Sequence, residues 1–239
     1  GLNTQWLKRS LKPTGTSVTL VNPKGERCFL TYFGHLKEFS LDWVYRALDA
    51  VDVPDFLLFS GYFLLPGIQG PELASLFRYC RERGSTVLFD PGWDPGGFSQ
   101  EVCLDLGTIL AEVDYFLPNE DEATALTKKD CSLEAARALL SWGPSTVILK
   151  RGGRGSTWLS LKGFQWSQEA FAVPVWDTTG AGDAFNGGVL YGLQRGLAPR
   201  EILSFAHGLA SIVISRAEAR FPTLVEVEQQ IRDQNPKEK

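Results

Sequence analysis

Short apolar segments of strand length alternate with amphipathic segments of helix length along this chain, and this alternation limits the folds open to it. Thr86–Asp90 and Thr146–Lys150 each hold three consecutive apolar residues, a run typical of strands that are buried on both faces. Such strands need helices on both faces of their sheet, and parallel strands need connections long enough to hold a helix. The sequence therefore predicts an α/β fold with a doubly wound, mostly parallel central sheet flanked by helices.

Turn and cap residues set the boundaries of the individual elements. Asn22-Pro23-Lys24-Gly25 separates two strand segments and is typical of a hairpin, and Ser40 is placed as the N-cap of a helix. The apolar segment 55–60 is expected to be a central strand with neighbours on both sides. The predicted strands cover residues 16–21, 27–33, 55–60, 86–90, 115–117, 146–150 and, as an antiparallel pair, 156–161 and 164–175. The predicted helices cover residues 40–50, 71–83, 99–111, 119–127, 132–142, 181–195, 199–215 and 223–233.

Composition excludes several classes of protein. Of the 239 residues, 44% are hydrophobic and 22% are charged, which is ordinary for a globular protein and argues against a disordered or coiled-coil chain. The net charge of −4 provides no electrostatic basis for binding nucleic acid. No apolar run approaches the ~18 residues of a membrane helix, so we expect a cytoplasmic protein that does not contact a membrane.

Three residue types are rare or absent, and each carries an inference. The four cysteines form no C-x-x-C pair, so we expect reduced thiols, and the two histidines are too few for a multi-histidine metal centre. The chain contains no Met and begins at Gly1. We therefore expect that an N-terminal part of the natural protein precedes this sequence.

The segment from Asp177 to Gly188, with the sequence DTTGAGDAFNGG, carries the strongest sign of chemistry. It is predicted to follow a strand that ends near Trp176 and to open the helix 181–195. Glycines at such a turn let backbone N–H groups converge, and a helix N-terminus adds unpaired donors and partial positive charge, so the turn can bind an anion. Asp183 would repel a bound phosphate, but it could accept the proton of a hydroxyl group that attacks that phosphate.

A purely structural interpretation of the same segment stays open on composition. Glycine would provide the turn, and Asp183 would interact with the helix macrodipole. Other phosphate-binding motifs do not fit, because the chain lacks G-x-x-x-x-G-K-[ST]. Gly180-Ala181-Gly182 is followed by Phe185 where a dinucleotide-binding motif needs its third glycine.

The ribokinase-like carbohydrate kinases, or phosphofructokinase-B family, carry a C-terminal signature that DTTGAGDAF in this chain closely resembles. The resemblance implies a three-layer α/β fold with a small β lid. It also implies the ATP-dependent transfer of a γ-phosphoryl group to a primary hydroxyl group of a small carbohydrate. It makes Asp183 the catalytic base, and it makes Gly180, Ala181 and Gly182 the anion hole.

The same resemblance implies a site for a monovalent cation such as K⁺. Asp177 and Thr179 correspond to the first part of that site. The second part falls within residues 213–221, where the family usually has a Gly-Ala pair and this chain has Glu218-Ala219. This departure weakens the case for activation by K⁺.

Asn119 and Glu122 lie three residues apart at the start of a predicted helix, so they share one face of that helix. Their spacing favours a capping box in which Asn119 is the N-cap. The resemblance gives them a second role, because the family carries Asn-x-x-Glu here and uses it to organise Mg²⁺ and phosphate. Mg²⁺ is bound largely through waters and phosphates, so it needs few protein oxygens.

A glycine-rich turn follows the strand that ends at Lys150, where the resemblance places the nucleotide. Lys150 or Arg151 could face phosphates, and Gly152, Gly153 and Gly155 could lie against the adenosine part of ATP. A hairpin with solvated basic residues is the structural alternative.

Two further positions carry weaker inferences. The family often has an Asn that contacts the nucleotide where this chain has His207, and a histidine packed within its helix is the alternative. The turn 90–95 follows a strand near the expected phosphates, and it is interpreted here as an ordinary turn without a catalytic role.

The resemblance covers nearly the whole chain but not the family's N-terminal segment, which contains a Gly-Gly-Asn type sugar-binding motif. Residues 1–239 are therefore interpreted as one kinase domain that lacks its N-terminal part, with lid-associated strands at 11–35. Residues 32–35 could approach the sugar. Lids of this family often pair, so a homodimer is one expectation. A nucleoside kinase and a non-catalytic nucleotide-binding protein remain alternatives.

Overall fold

The computed structural model describes residue 4 and residues 7–22, 27–68, 70–217 and 221–234. These residues form a separate two-stranded hairpin, a six-stranded central sheet and the helices that cover it. The strands are β1 (Thr16–Val21), β2 (Arg27–Tyr32), β3 (Phe56–Ser60), β4 (Thr86–Asp90), β5 (Tyr115–Phe116), β6 (Thr146–Lys150), β7 (Ser156–Ser160) and β8 (Gln165–Gln168). The helices are α1 (Leu41–Asp49), α2 (Pro71–Arg81), α3 (Gln100–Leu110), α4 (Glu120–Thr127), α5 (Ser132–Leu140), α6 (Ala181–Gln194), α7 (Pro199–Ser215) and α8 (Leu224–Gln234), with short 3₁₀ helices at Gly34–Glu38, Tyr62–Leu64 and Gly152–Arg154.

The central sheet has its strands in sequence order, from β3 to β8. β3 to β6 run parallel, so their carboxyl ends lie on the same side of the molecule, and β7 and β8 extend the sheet as antiparallel strands. The predicted α/β fold with a mostly parallel sheet is confirmed. The helices begin and end within two residues of their predicted positions.

The core lies on both faces of this sheet, as the apolar strands predict. Successive side chains of a strand point to opposite faces. Phe89 of β4 therefore joins the larger apolar cluster, with residues of α2, α3 and α5, whereas Leu88 joins a second cluster with Phe185 of α6 and Leu203 of α7. α6 packs against the same face of the sheet as Leu88, together with α7. The segment with the strongest sign of chemistry leads into this helix.

β3, for which two neighbouring strands are predicted, has one among the described residues. Among the described residues β3 pairs only with β4 and so lies at the edge of the sheet, although its sequence resembles that of a central strand. Its first four residues are half-buried, and both of its faces have apolar contacts. Phe59 packs against the larger cluster and Leu58 against the second, so an edge strand between two helical layers is as apolar as a central one.

The segment before α6 corrects one prediction. The strand predicted over 164–175 ends at Gln168, and irregular chain, not a strand ending near Trp176, leads to α6. Pro174 lacks an N–H group for a strand ladder. The N–H groups of Trp176 and Asp177 donate instead to the carbonyl oxygen of Ile214 in α7, at 2.8 and 3.2 Å.

The two strands predicted at the start of the chain pair with each other and form a separate sheet. β1 pairs antiparallel with β2 from Thr16 opposite Tyr32 to Val21 opposite Arg27, while the predicted turn at 23–26 lies outside the described residues. Its apolar side chains, which include Val18 and Leu30, are largely exposed. In the part of the chain that the structure describes, no helix is both long and apolar enough to cross a membrane.

Candidate active site

Helix α6 begins at a turn that only glycine adopts easily. Gly180 precedes the helix with φ of 77° and ψ of 2°, in the left-handed region. Gly180 has no side chain that could cap this helix end, and the Ala181 N–H donates to the Thr178 carbonyl oxygen at 3.2 Å. A helix N-terminus without a capping side chain can bind an anion through the other N–H groups of its first turn.

Asp183 lies in the first turn of α6 with its side chain exposed. It lines a cavity of about 1680 Å³ together with Thr179, Asn119, residues of the hairpin and residues of the loop that follows β4. The cavity therefore has Thr179 and Asp183, on either side of the glycine turn before α6, in one wall and the β1–β2 hairpin in another. An anion at the turn and a small molecule under the hairpin would meet beside the Asp183 carboxylate.

Asn119 and Glu122 form the predicted capping box at the start of α4. The Asn119 side chain accepts a hydrogen bond from the Glu122 N–H, and the Asn119 N–H donates back to the Glu122 carboxylate, both at 2.8 Å. Asn119 Nδ2 also donates to Glu122 Oε1 at 2.7 Å. Glu122 is 3% exposed, and this burial raises its pKa to about 7 against the opposing effect of the nearby Lys150.

Their surroundings suit indirect and not direct binding of a metal ion. Among the described residues, no group of three or more histidine, cysteine, aspartate or glutamate side chains could hold a metal ion. Asn119 and Asp121 reach the cavity, whereas Glu122 is buried behind Asn119. This donor set fits Mg²⁺ held mainly by waters and phosphates, with a few protein oxygens around them.

Lys150 lies at the end of β6 and pairs with a residue that sequence reasoning treated as an ordinary turn. Its Nζ donates to Asp90 Oδ2 at 2.6 Å, and Asn186 Nδ2 of α6 donates to the same oxygen. The fold explains why Asp90 and Lys150 are close together, because each is the last residue of a parallel strand of the same sheet. Polar residues at the carboxyl ends of buried strands were the signal that could have identified Asp90.

The glycine-rich turn after β6 forms a 3₁₀ helix, Gly152–Arg154, beside the start of α4. Arg154 forms an ion pair with Glu120 there. Gly155 has φ of 92°, and a Cβ atom at this position would lie 1.9 Å from the carbonyl oxygen of Gln168. A Cβ atom at Gly152 or Gly153 would meet no described atom within 4 Å beyond the adjoining residues, so this part of the turn is open to a ligand.

His207 is a packed helix histidine, the structural alternative for this position. It is 7% exposed, its Nε2 lies 2.8 Å from Ser156 Oγ, and its ring packs against Phe185 at 5.1 Å. Burial lowers its pKa to about 4. Ser156 directly follows the glycine-rich turn, so His207 supports the strand behind that turn from the core.

Asp177 and Thr179 lie together before α6. Asp177 Oδ1 accepts hydrogen bonds from the N–H and the hydroxyl group of Thr179, both at 2.9 Å. Thr179 reaches the cavity. Glu218 and Ala219, which weaken the case for a cation here, lie outside the described residues.

The hairpin end of the cavity is aromatic. Of the residues expected to approach the sugar, Tyr32 and Phe33 line this cavity, whereas His35 accepts a hydrogen bond from the Gly15 N–H at 3.0 Å. Trp93 and Phe63 line it as well, and sequence reasoning missed both. Trp93 belongs to the turn after β4, and nothing in its local sequence indicates that the hairpin lies opposite.

Comparisons with known proteins agree with this geometry. Residues 1–225 match the model described as pfkB family carbohydrate kinase. A protein from Archaeoglobus fulgidus called an uncharacterized sugar kinase is 29% identical over 220 residues, which cover 92% of this chain and 84% of that protein. The cytidine kinase of Thermococcus kodakarensis is 30% identical over 159 residues, which cover 64% of this chain and 55% of that protein.

The fold also has a solved counterpart. The structure of Arabidopsis thaliana ribokinase, complexed with ribose and ATP, superposes with a TM-score of 0.75 at 22% identity. The match covers 93% of this chain and 70% of that one. The ribokinase-like architecture expected from the sequence is therefore confirmed.

Proposed function

Because this chain belongs to the pfkB family of carbohydrate kinases, we propose that it transfers the γ-phosphoryl group of ATP to a hydroxyl group of a small carbohydrate. A sugar kinase among its relatives supports a carbohydrate as the acceptor. The single observation that carries the proposal is the place of Asp183, exposed in the wall of a large cavity at an uncapped helix N-terminus.

Asp183 is the general base in this proposal. Its carboxylate takes the proton of the acceptor hydroxyl group while the oxygen of that group attacks the γ-phosphorus atom. The bond between the γ-phosphorus atom and the bridging oxygen breaks, and ADP leaves with the electron pair. The exposed side chain of Asp183 suits this role, since it can reach both the acceptor and the anion-binding turn.

Gly180, Ala181 and Gly182 form the anion hole. N–H groups at the positive end of the α6 macrodipole stabilise the oxygens of the transferring group. The Ala181 N–H donates to the Thr178 carbonyl oxygen at 3.2 Å and exchanges that bond for one to the anion. The left-handed turn at Gly180 directs the chain into this arrangement. Lys150 adds positive charge close by, since a Cβ atom at Gly182 would lie 3.8 Å from Lys150 Nζ.

Asn119 and Glu122 organise the Mg²⁺ that accompanies the nucleotide. Mg²⁺, when bound, neutralises charge on the phosphates. Asn119 faces the cavity, and Glu122 fixes its side chain and backbone through the capping box.

The open part of the glycine-rich turn, Gly152 and Gly153, accommodates the adenosine part of ATP, with Gly155 packed behind it. Asp177 and Thr179 provide the proposed site for a monovalent cation such as K⁺.

A nucleoside is the second candidate acceptor. The aromatic side chains Tyr32, Phe33, Phe63 and Trp93 at the hairpin end of the cavity favour a ligand with a flat apolar ring. The relative called cytidine kinase points the same way. ATP consumption measured against a panel of sugars and nucleosides separates the two candidates. A preference for nucleosides would replace the carbohydrate in the proposal, and ATP binding without turnover on any acceptor would favour a non-catalytic protein.

Replacement of Asp183 by Asn tests the proposal directly. We expect kcat on the best acceptor to fall by about 10²–10⁴-fold, because the general base is lost. Asp130→Asn is the matched control, since Asp130 is also an exposed carboxylate that lines the cavity. If Asp183→Asn lowers kcat by less than about tenfold, Asp183 is not the general base.

A further inference from the structure

A buried ion pair lies under the catalytic turn, and the proposed chemistry does not use one of its members. Asp90, at the end of β4, and Lys150, at the end of β6, have side chains that are 9% and 14% exposed. Asp90 Oδ2 accepts hydrogen bonds from Lys150 Nζ and from Asn186 Nδ2, while Asp90 Oδ1 accepts one from the Gly92 N–H at 3.2 Å. Asp90 thus joins β4, β6 and α6.

Helix α6 determines where the ion pair lies relative to the anion hole. Asn186 follows Gly182 by four residues, so both lie on the same face of the helix. Asn186 contacts Asp90, and Gly182 lies next to Lys150 Nζ. The Lys150 ammonium group is therefore held directly under the turn that would bind the transferring phosphoryl group.

Stability is a weak reason for such a pair. Removing two charges from water costs about as much free energy as their attraction returns, so an apolar pair would stabilise the sheet equally well. Elsewhere β4 and β6 use apolar residues for this purpose, as Leu88 and Ile148 show. A buried charge at the end of the strands, beside an anion site, is better explained by the charge of the anion.

We propose that Asp90 is a positioning residue that holds the Lys150 ammonium group beneath the N-terminus of α6, where its charge stabilises the phosphoryl group during transfer. This inference rests on the proposed kinase function. Asp90 does not touch the substrate. It accepts the hydrogen bonds that fix Lys150 and Asn186 in place before the nucleotide binds, so Lys150 does not need to reorganise during the reaction.

A double-mutant cycle tests this role. We expect Lys150→Met to lower kcat by about a hundredfold and Asp90→Asn by about tenfold, with the KM of the acceptor nearly unchanged, because charge stabilisation is lost only in the transition state. In the Lys150→Met background, Asp90→Asn should change kcat by less than about twofold, since Asp90 then has no ammonium group left to position. Glu112→Gln is the matched control, because it also neutralises a paired carboxylate, far from the cavity.

Thermal unfolding of the unmodified protein, the two single variants and the double variant separates an effect on positioning from an effect on folding. Each single replacement leaves one unpaired buried group, whereas the double variant leaves a neutral pair and should recover stability. The proposal is overturned if Asp90→Asn lowers kcat by the same factor in both backgrounds, or if it leaves kcat unchanged in a folded protein. Failure of the kinase function itself would look different, since the unmodified chain would then show no turnover.

Discussion

At the scale of single residues, Glu122 shows how burial and charge pairing compete. Lys150 favours the ionised form of Glu122, but burial outweighs it, and the pKa of Glu122 is raised to about 7. The folded protein therefore binds this proton more tightly than the unfolded chain does. The stability that protonated Glu122 contributes is complete below about pH 4.5 and is lost as the pH rises towards 7.

Replacement of Glu122 by Gln should remove this loss. We expect the unmodified protein to lose on the order of 2–3 kcal/mol more stability than Glu122→Gln between pH 4.5 and pH 7. Urea unfolding of both proteins across this pH range measures the difference. Parallel pH profiles would contradict the prediction, because other carboxyl groups titrate equally in both proteins.

Sequence reasoning reached most site residues but not their partners. Asp183 and the capping box of Asn119 and Glu122 follow from local patterns, because a helix start involves only residues that are close in sequence. The bond between Lys150 and Asp90 joins residues 60 positions apart. It depends on which strands lie side by side, and no local pattern reports that.

At the scale of elements, α6 and α7 approach each other closely at glycines of α6, and the approach is closest at Gly188. A Cβ atom at Gly188 would lie 2.5 Å from the Cα atom of Ala206, so the two helices meet backbone to backbone there. At the adjacent Gly187 the nearest described atom, Leu209 Cδ2, would lie 4.0 Å away.

These neighbouring glycines form a matched pair for mutation. We expect Gly188→Ala to destabilise the protein by about 1–3 kcal/mol, because the helices must separate. Gly187→Ala should be neutral or stabilise by up to about 1 kcal/mol, since alanine favours the helix and meets no obstacle. Urea unfolding of both variants measures the effects, and equal effects would contradict the close contact.

The elements themselves were largely predictable, apart from the segment before α6. The sequence suggested that 164–175 is the second strand of an antiparallel pair, but the N–H groups of Trp176 and Asp177 bind the end of α7. That partner lies almost forty residues further along the chain, so only the tertiary structure decides the conformation of this segment.

At the scale of the whole molecule, the cavity joins two separate sheets. The resemblance carried by residues 177–185 is confirmed by the family match over residues 1–225, and the fold could be predicted with it. The acceptor could not, because the side chains that line the cavity come from several segments that are distant in sequence.

The hairpin offers its own matched pair of residues. Phe29 and Leu30 are 58% and 59% exposed, but Phe29 lines the cavity whereas Leu30, as the next residue of the strand, points to the opposite face. We expect Phe29→Ala to raise the KM of the acceptor about tenfold, since an aromatic contact is lost. Leu30→Ala should change it by less than about twofold. Steady-state kinetics at saturating ATP measure both, and an equal rise would place the acceptor elsewhere.

The strand order of the central sheet also has a consequence for how the protein is made. Each strand from β3 to β8 pairs with its neighbour in sequence, so the sheet can assemble stepwise while the chain emerges from the ribosome. α6 and α7, which cover one face, are synthesised only after β8. The turn before α6 is therefore enclosed only after the whole central sheet has been synthesised.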